Sequence, residues 1–451
     1  MDAYPLVSHS GLDDVVAWRQ GRPVTAAQFV GDAQQLCAAW PAGGYVLNAC
    51  SDRYRFAVGL AAALMSGKVS LLPPSHTAET VRQMRAYDNA FCLVDGPATI
   101  DMPAHRFEDF PVAAAGAIPS IPADQTLALV FTSGSTGAPV PHRKAWGQVV
   151  LDVRAEAAAL LLPTGGRVAV LGTVPPQHMY GIESTVLLPL QSGGALDAGH
   201  PFYPADVVAA LAALPRPRML VTTPVHLRAL LDSGVALPAV DLLLSATAPL
   251  SPELAERAES CFQAPLQEIY GSTETGQIAT RRSTQTRHWR LLPGIELAER
   301  DGRFWASGGH VGAATPLGDV LELAGAEEFL LHGRLGDLVN IAGKRNSLAF
   351  LNHQLLAVPG VTDGSFFMPE GEAPDGVTRL AAFAVAPGLT AAQVRAALRE
   401  RIDAIFLPRP LVLLEHLPRN STGKLTRETI EQLSRAHLPP GGRQGETSDG
   451  A

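Results

Sequence analysis

The stretch Leu127–Pro141, LALVFTSGSTGAPVP, runs from an apolar strand-like pattern into small hydroxyl and glycine residues. Thr132, Ser133, Gly134, Ser135, Thr136 and Gly137 can turn successive backbone N–H groups and hydroxyls toward one anion, which is how a flexible loop cradles a phosphate. This is not the spacing of a P-loop, which needs Gly-Lys-Ser/Thr after a four-residue gap, and Gly423-Lys424-Leu425 does not supply it either. An ordinary turn after a strand uses the same residue types. Downstream stand Tyr270-Gly-Ser-Thr-Glu-Thr-Gly276, Leu317-Gly-Asp319, Gly333-Arg-Leu-Gly-Asp337 and Pro418-Arg-Asn-Ser-Thr-Gly-Lys424. Taken singly each has a plain reading: Tyr270 as a packed aromatic, Glu274 as a solvated loop carboxylate, Asp319 as a turn residue, Arg334 in a surface ion pair, Lys424 as a solvated loop lysine.

These residues need a scaffold, and the chain supplies alternating β-rich and Ala/Leu-rich stretches. Strands are expected at 45–49, 69–72, 90–94, 127–132, 167–172, 219–223 and 241–245, with helices at 52–66, 77–87, 146–161, 205–214, 224–233 and 251–262. That alternation predicts α/β layers with largely parallel sheets. Past residue 290 short turn-rich strands at 303–306, 320–323 and 329–332 predict a small antiparallel module. From Asp337 the pattern is strand 338–341, helix 347–357, strands 364–368 and 379–385, helix 390–405 and strand 411–414, a separate α+β domain. The fold class is thus α/β, with an N-terminal domain of layered subdomains over 1–335 and a small C-terminal domain over 337–437. The tail 438–451, LPPGGRQGETSDGA, is expected to be disordered.

With 451 residues, 47% apolar and 17% charged, the chain has ample material for a core. Its 35 Lys and Arg against 43 Asp and Glu leave a net charge of −8, which argues against nucleic-acid and anionic-membrane binding, and with no stretch approaching 18 uncharged apolar residues no stable membrane insertion is expected. Cys37, Cys50, Cys92 and Cys261 lack paired spacing, so neither a disulfide framework nor a zinc site is indicated. No export signal or spanning segment is read, and a cytoplasmic location is expected.

In their order and separations the motifs resemble those of the acyl/aryl-adenylate-forming superfamily, which includes acyl-CoA synthetases, aryl-acid ligases, luciferases and peptide-synthetase adenylation domains. The resemblance covers roughly residues 25–430. It implies ATP and Mg²⁺ as cofactors and places the 132–137 loop on the departing β,γ-phosphates. Glu274 would hold Mg²⁺ and Thr273 would donate to the α-phosphate. Tyr270, with Gly271 and Ser272 beside it, would stack on adenine against Ser245, Ala246, Thr247, Ala248 and Pro249. Asp319 would accept the ribose hydroxyls, supported by Arg334. Lys424 would reach the acid carboxylate and α-phosphate in the adenylation transition state.

Pro176-Gln-His-Met-Tyr-Gly181 resembles the superfamily segment in which His178 lines the carboxylate end of the acid; amino-acid-activating relatives carry aspartate there. Met179, Tyr180, Gly181, Thr223, Ala246 and Gly271 would wall a modest pocket suited to an aromatic carboxylic acid rather than a fatty-acyl tunnel. Two positions depart from the pattern. Val140 stands where a lysine usually ends the phosphate loop, leaving Arg143 or Lys144 as substitutes, or the charge dispensable. Gly336 stands at the hinge about which the C-terminal domain would rotate, bringing the Asn340-Ile-Ala-Gly-Lys344 loop in for thiol attack.

The short length, Val140 and the NIAGKR loop look similar to compact hydroxybenzoate:acyl carrier protein ligases of bacterial aryl-polyene and xanthomonadin pigment clusters. This implies 3- or 4-hydroxybenzoate as the acid and an acyl carrier protein as acceptor. The rivals are an aryl- or short-acyl-CoA ligase and a non-catalytic nucleotide-binding relative; retention of Glu274, Asp319, Arg334 and Lys424 disfavours the latter. Residues 337–451 carry 12 Lys/Arg and 12 Asp/Glu, a neutral face toward an acidic carrier, and Arg395 and Arg399, four apart, with Arg401 nearby, are a candidate docking patch or a solvated helix face.

Overall fold

The computed structural model describes residues 2–97, 100–110, 115–133, 139–162, 167–334, 338–341, 344–369, 379–420 and 425–438. The chain divides into two compact units, one of Met1–Glu299, Trp305–Pro316 and Gly325–Glu328, the other of Arg300–Phe304, Leu317–Ala324 and Phe329–Ala451. The expected domain boundary near 335, the hinge at Gly336 and the tail from 439 lie outside the described residues.

The first unit holds two large sheets. In one, Pro139–Ala145, Thr126–Ser133, Val69–Leu72, Tyr45–Asn48, Phe91–Val94 and Ala104–Arg106 lie side by side, all parallel except the first pair. The other runs Trp289–Leu291, Gly276–Arg281, Leu266–Ser272, Leu242–Ser245, Arg218–Thr222, Ala169–Gly172, Ala195–Asp197, Val15–Arg19 and Arg22–Thr25. Its central strands, from Leu266–Ser272 through Val15–Arg19, are parallel. Parallel strands buried on both faces read as continuous apolar runs, and Leu242–Leu244 and Met219–Val221 are all buried.

Helix starts follow their caps. Asp52, Thr77, Thr223 and Ser251 each accept a backbone N–H of the first turn, with Pro224 and Pro252 opening their helices. The interior gathers Phe29, Tyr54, Phe56, Leu60, Trp146, Val149, Ile182 and Leu187 into one apolar cluster between the layers.

In the second unit, Asp319–Leu323 and Glu328–Arg334 form an antiparallel ladder and Leu338–Ile341 pairs with Lys344–Ser347. Strands Asp363–Phe367, Ala381–Val385 and Leu411–Leu413 make a three-stranded sheet. Helices Leu348–Leu356 and Ala391–Arg399 supply Leu351, Leu355, Val394 and Leu398 to its core. The expected helix 390–405 is shorter, because Asp403 caps a separate 3₁₀ turn, Ala404–Phe406, and pairs with Lys344. An unexpected helix, Arg427–His437, sets Ile430 and Leu433 against the Phe367/Phe383 cluster. Among the described residues no helix is long and apolar enough to cross a membrane.

Candidate active site

The candidate residues of the first unit gather where parallel strands end. Thr223 follows Arg218–Thr222, Ser245 closes Leu242–Ser245, Tyr270–Ser272 close Leu266–Ser272, and segment 173–181 leaves Ala169–Gly172. Open parallel sheets bind ligands outside the carboxyl ends of their strands.

Thr132 lies near the end of Thr126–Ser133, with Val140 of the returning strand opposite it. Gly134, Ser135, Thr136, Gly137 and the Ser133 side chain lie outside the described residues. Alternate residues of a strand share a face, so Val140, His142 and Lys144 face together and Arg143 faces away. His142 Nε2 stands 2.9 Å from Thr132 Oγ1 and 3.6 Å from Glu274 Oε1. Lys144 is buried; burial lowers its pKa, against the fields of Glu183, Asp152 and Glu274. Arg143 donates outward to Thr126 Oγ1 (2.8 Å) and the Asp124 carbonyl (2.5 Å). Lys144 sits on the order of 13 Å along the strand from Val140. Neither expected substitute therefore stands at the Val140 position. The basic ring at this place is His142, a residue the sequence reading missed; its alternation with Val140 was the available signal.

Glu274 is presented by a hairpin locked from inside. Ser272 N–H donates to Thr275 Oγ1 and Thr275 N–H to Ser272 Oγ, both at 3.2 Å. Thr273 and Glu274 are left at the tip, the Glu274 side chain 43% exposed. Gly271 has no room for a side chain, since a Cβ would come within 2.2 Å of the Gly276 carbonyl oxygen. Gly276 has φ +74°, and a Cβ there would lie 2.3 Å from Asp152 Oδ2. Gly276→Ala is therefore expected to strain the turn by about 1–3 kcal/mol and to raise the KM for ATP. A melting temperature and an ATP KM both equal to the parent's would refute this. Tyr270 packs against Trp289 with ring centroids 5.6 Å apart.

Mg²⁺ takes hard oxygen donors and is commonly shared between one or two carboxylates and phosphates. A tip carboxylate beside the Thr132 strand fits that donor set. Among the described residues no three His, Cys, Asp or Glu side chains come together as a protein-only metal cage.

Beneath the turn lies a buried polar network. Ser184 Oγ donates to Glu156 Oε1 (2.7 Å), Gln277 Nε2 donates to Ser184 Oγ (3.1 Å), Gln277 N–H donates to Asp152 Oδ2 (3.3 Å), and His310 Nε2 is 3.4 Å from Asp152 Oδ1. Burial pushes the carboxyls of Asp152, Glu156 and Glu183 up, Glu156 to about 8. The sequence reading did not single out these carboxyls, since each is an ordinary acidic residue until the fold buries it.

In the acid-binding candidate segment, half-buried His178 stands at the N-terminal end of a short helical turn, Met179–Gly181. The Tyr180 hydroxyl reaches the carbonyls of Thr222 (3.2 Å) and Leu244 (3.1 Å). Met179, Tyr180 and Ala246 pack partly buried against the main core. The Thr223 hydroxyl is engaged as a helix cap, accepting from His226 N–H at 3.3 Å. In the facing stretch Ser245 is buried, Ala246, Thr247 and Ala248 are half-buried and Pro249 is exposed. Thr247 has φ +78°, a strained setting for a β-branched residue and one that concentrates at functional sites.

In the second unit Asp319 and Arg334 are register partners across their ladder; the Arg334 side chain and Lys424 lie outside the described residues.

Residues 44–322 match the family described as AMP-binding enzyme. The chain belongs to that family. It is 32% identical over 282 residues to a 4-coumarate–CoA ligase of Rhodobacter capsulatus, covering 62% of this chain and 69% of that one. It is 25% identical over 369 residues to a 3-hydroxybenzoate–CoA/4-hydroxybenzoate–CoA ligase of Thauera aromatica, covering 70% and 68%. The fold is shared with o-succinylbenzoate CoA synthetase of Bacillus subtilis in complex with its acyl-adenylate intermediate (TM-score 0.80, 19% identity, 96% of this chain and 99% of that chain). It is shared also with ATP-bound MatB of Rhodopseudomonas palustris (TM-score 0.79, 17% identity, 94% and 97%). This AMP-binding enzyme is an adenylate-forming acid–thiol ligase that uses ATP and Mg²⁺.

Proposed function

We propose that the enzyme activates an aromatic carboxylic acid of the hydroxybenzoate class and passes the acyl group to a phosphopantetheine thiol. The carrying observation is Tyr180. Its hydroxyl is tied to the carbonyls of Thr222 and Leu244, which turns its ring into fixed apolar wall, and the His178 position carries no carboxylate for a substrate ammonium. Relatives named for 4-coumarate, hydroxybenzoate and 4-chlorobenzoate support the aromatic class.

Joining a carboxylate to the α-phosphate of ATP sets two anions together, so the site must supply aligned donors and cations. In this reading the 132–137 loop receives the β,γ-phosphates, and His142 holds Thr132 and the Glu274 turn in register. Thr273 donates to the α-phosphate, and Tyr270 and the 245–249 stretch enclose adenine. Asp319 and Arg334 take the ribose, and His178 faces the acid carboxylate. When bound at Glu274, Mg²⁺ neutralises charge on phosphate oxygens.

The same thiol is borne by free CoA and by acyl carrier proteins. The CoA ligases among the relatives support the first. The neutral C-terminal residues, the half-buried Arg395 and the exposed Arg399 support the second, as do the sequence features shared with pigment-cluster ligases. Arg401 follows the end of that helix. The four free cysteines suit a reducing, cytoplasmic setting.

In acid-dependent pyrophosphate release, 3- or 4-hydroxybenzoate is expected to exceed long-chain fatty acids and amino acids. A medium- or long-chain fatty acid as best substrate would overturn the aromatic reading. For the acceptor, Arg395→Glu with Arg399→Glu should weaken transfer to a holo carrier protein, more at low salt, and leave adenylate formation intact. Saturable transfer to free CoA with no preference for any carrier assigns the acceptor to CoA.

A further inference from the structure

Arg53 opens the helix Arg53–Met65 and is completely buried, with 0% of its surface exposed. Buried guanidinium groups are ordinarily paired with carboxylates. This one directs its side-chain donors to neutral oxygens. Nε donates to Thr185 Oγ1 at 3.0 Å, Nη2 to the carbonyls of Gly172 and Val174 at 2.9 Å each, and Nη1 to the carbonyls of Asp197 (3.3 Å) and Gly199. Its backbone N–H donates to the Ala198 carbonyl as well. Burial lowers its pKa to about 10, so it stays charged at neutral pH.

The bonded groups bracket one segment. Val174 immediately precedes Pro175–Gly181, and Thr185 Oγ1, which accepts from Arg53, donates to the Gly181 carbonyl at 2.5 Å. The segment also closes on itself. The Pro175 carbonyl accepts from His178 N–H (3.4 Å) and lies so near Gly181 that a Cβ there would come within 1.9 Å of it. Gln177 Nε2 adds a 3.5 Å bond to the Cys50 carbonyl, just before the Arg53 helix. Thr185 belongs to a π-helical turn, Ile182–Leu187, a form that recurs at functional sites.

We propose that Arg53 is a positioning residue for the acid-binding segment: it fixes both ends of 174–181 and so sets His178 and Tyr180 against the substrate carboxylate and ring. This rests on the reading above that the segment contacts the acid. A planar fork bonded along several directions cannot be reproduced by lysine's single ammonium, and a misplacement of about 1 Å can cost about 100-fold in rate.

The test uses the full-length enzyme and acid-dependent pyrophosphate release, with separate KM values for acid and ATP and a melting temperature for each variant. Arg53→Lys is expected to raise the acid KM about ten-fold or more while the ATP KM stays within about two-fold. Thr185→Val, which removes the acceptor of Arg53 Nε and the bond to Gly181 but leaves the other Arg53 bonds in place, should move the acid KM in the same direction by a smaller factor. His178→Ala reports on the segment itself. If His178→Ala raises the acid KM while Thr185→Val and any folded Arg53→Lys leave it unchanged, or raise both KM values equally, the positioning role is overturned and Arg53 is structural only. If His178→Ala also leaves the acid KM unchanged, the pocket reading fails first and the proposal falls with it. Should Arg53→Lys not fold, Thr185→Val decides.

Discussion

Replacing Lys424 with alanine is expected to slow adenylate formation by about two to three orders of magnitude, while thioester formation from supplied acyl-adenylate survives. The reason is electrostatic. Carboxylate attack on the α-phosphate brings negative charge onto oxygens that are already anionic, and a cation contributes most where that charge develops. His142, Lys144 and Arg143 do not answer this need: the first is held by Thr132 and Glu274, the second is buried beside carboxylates, and the third points away. Lys424, which lies outside the described residues, is the cation that the family resemblance assigns to the reacting oxygens. Measuring both half-reactions separately tests it. Equal losses in adenylation and in thiol transfer would show that the lysine is not confined to the first step.

The second large effect is on stability and depends on pH. The Glu156 carboxyl is wholly buried, and burial, with the field of Glu183 added, lifts its pKa from 4.5 to about 8 despite the opposing bonds from Ser184 and Gln277. Below the ordinary value both folded and unfolded chains carry the proton, and there is no penalty. As pH rises from there to about 8, the unfolded chain ionises first and the folded state loses stability. At about 1.4 kcal/mol per pKa unit the loss reaches several kcal/mol. Glu156→Gln keeps the acceptor for Ser184 and cannot ionise. The variant should therefore be clearly more stable than the parent at pH 9, with the advantage fading toward pH 5. Denaturant unfolding at those two pH values is the measurement. A difference that does not change with pH, or one that favours the parent at pH 9, would contradict the assignment.

Local signals carried much of the architecture. Val69–Leu72 stands where its β-branched and leucine pattern predicts it, and Ser251 with Pro252 opens the helix to Phe262 as the cap and proline require. Elements whose logic is long-range were less legible. The strand Val15–Arg19 forms a local hairpin with Arg22–Thr25, but it joins the large sheet by pairing with Ala195–Asp197, far away in sequence. Helix Arg427–His437 is so polar that its apolar stripe has meaning only against Phe367 and Phe383.

Residue type and spacing along single stretches of chain made the candidate groups legible: a small-residue loop at 132–137 proposed for phosphate, the motif carrying Glu274, and the histidine-bearing segment 176–181. The groups that those stretches meet follow from the fold. Strand alternation sent Arg143 outward and turned His142 toward Thr132 and Glu274. Helix-to-sheet packing brought Arg53 under the acid-binding segment and enclosed Asp152, Glu156 and Glu183 together. Burial and neighbouring charge set a side chain's donors and its pKa, and both are properties of the folded surroundings that residue identity alone does not contain.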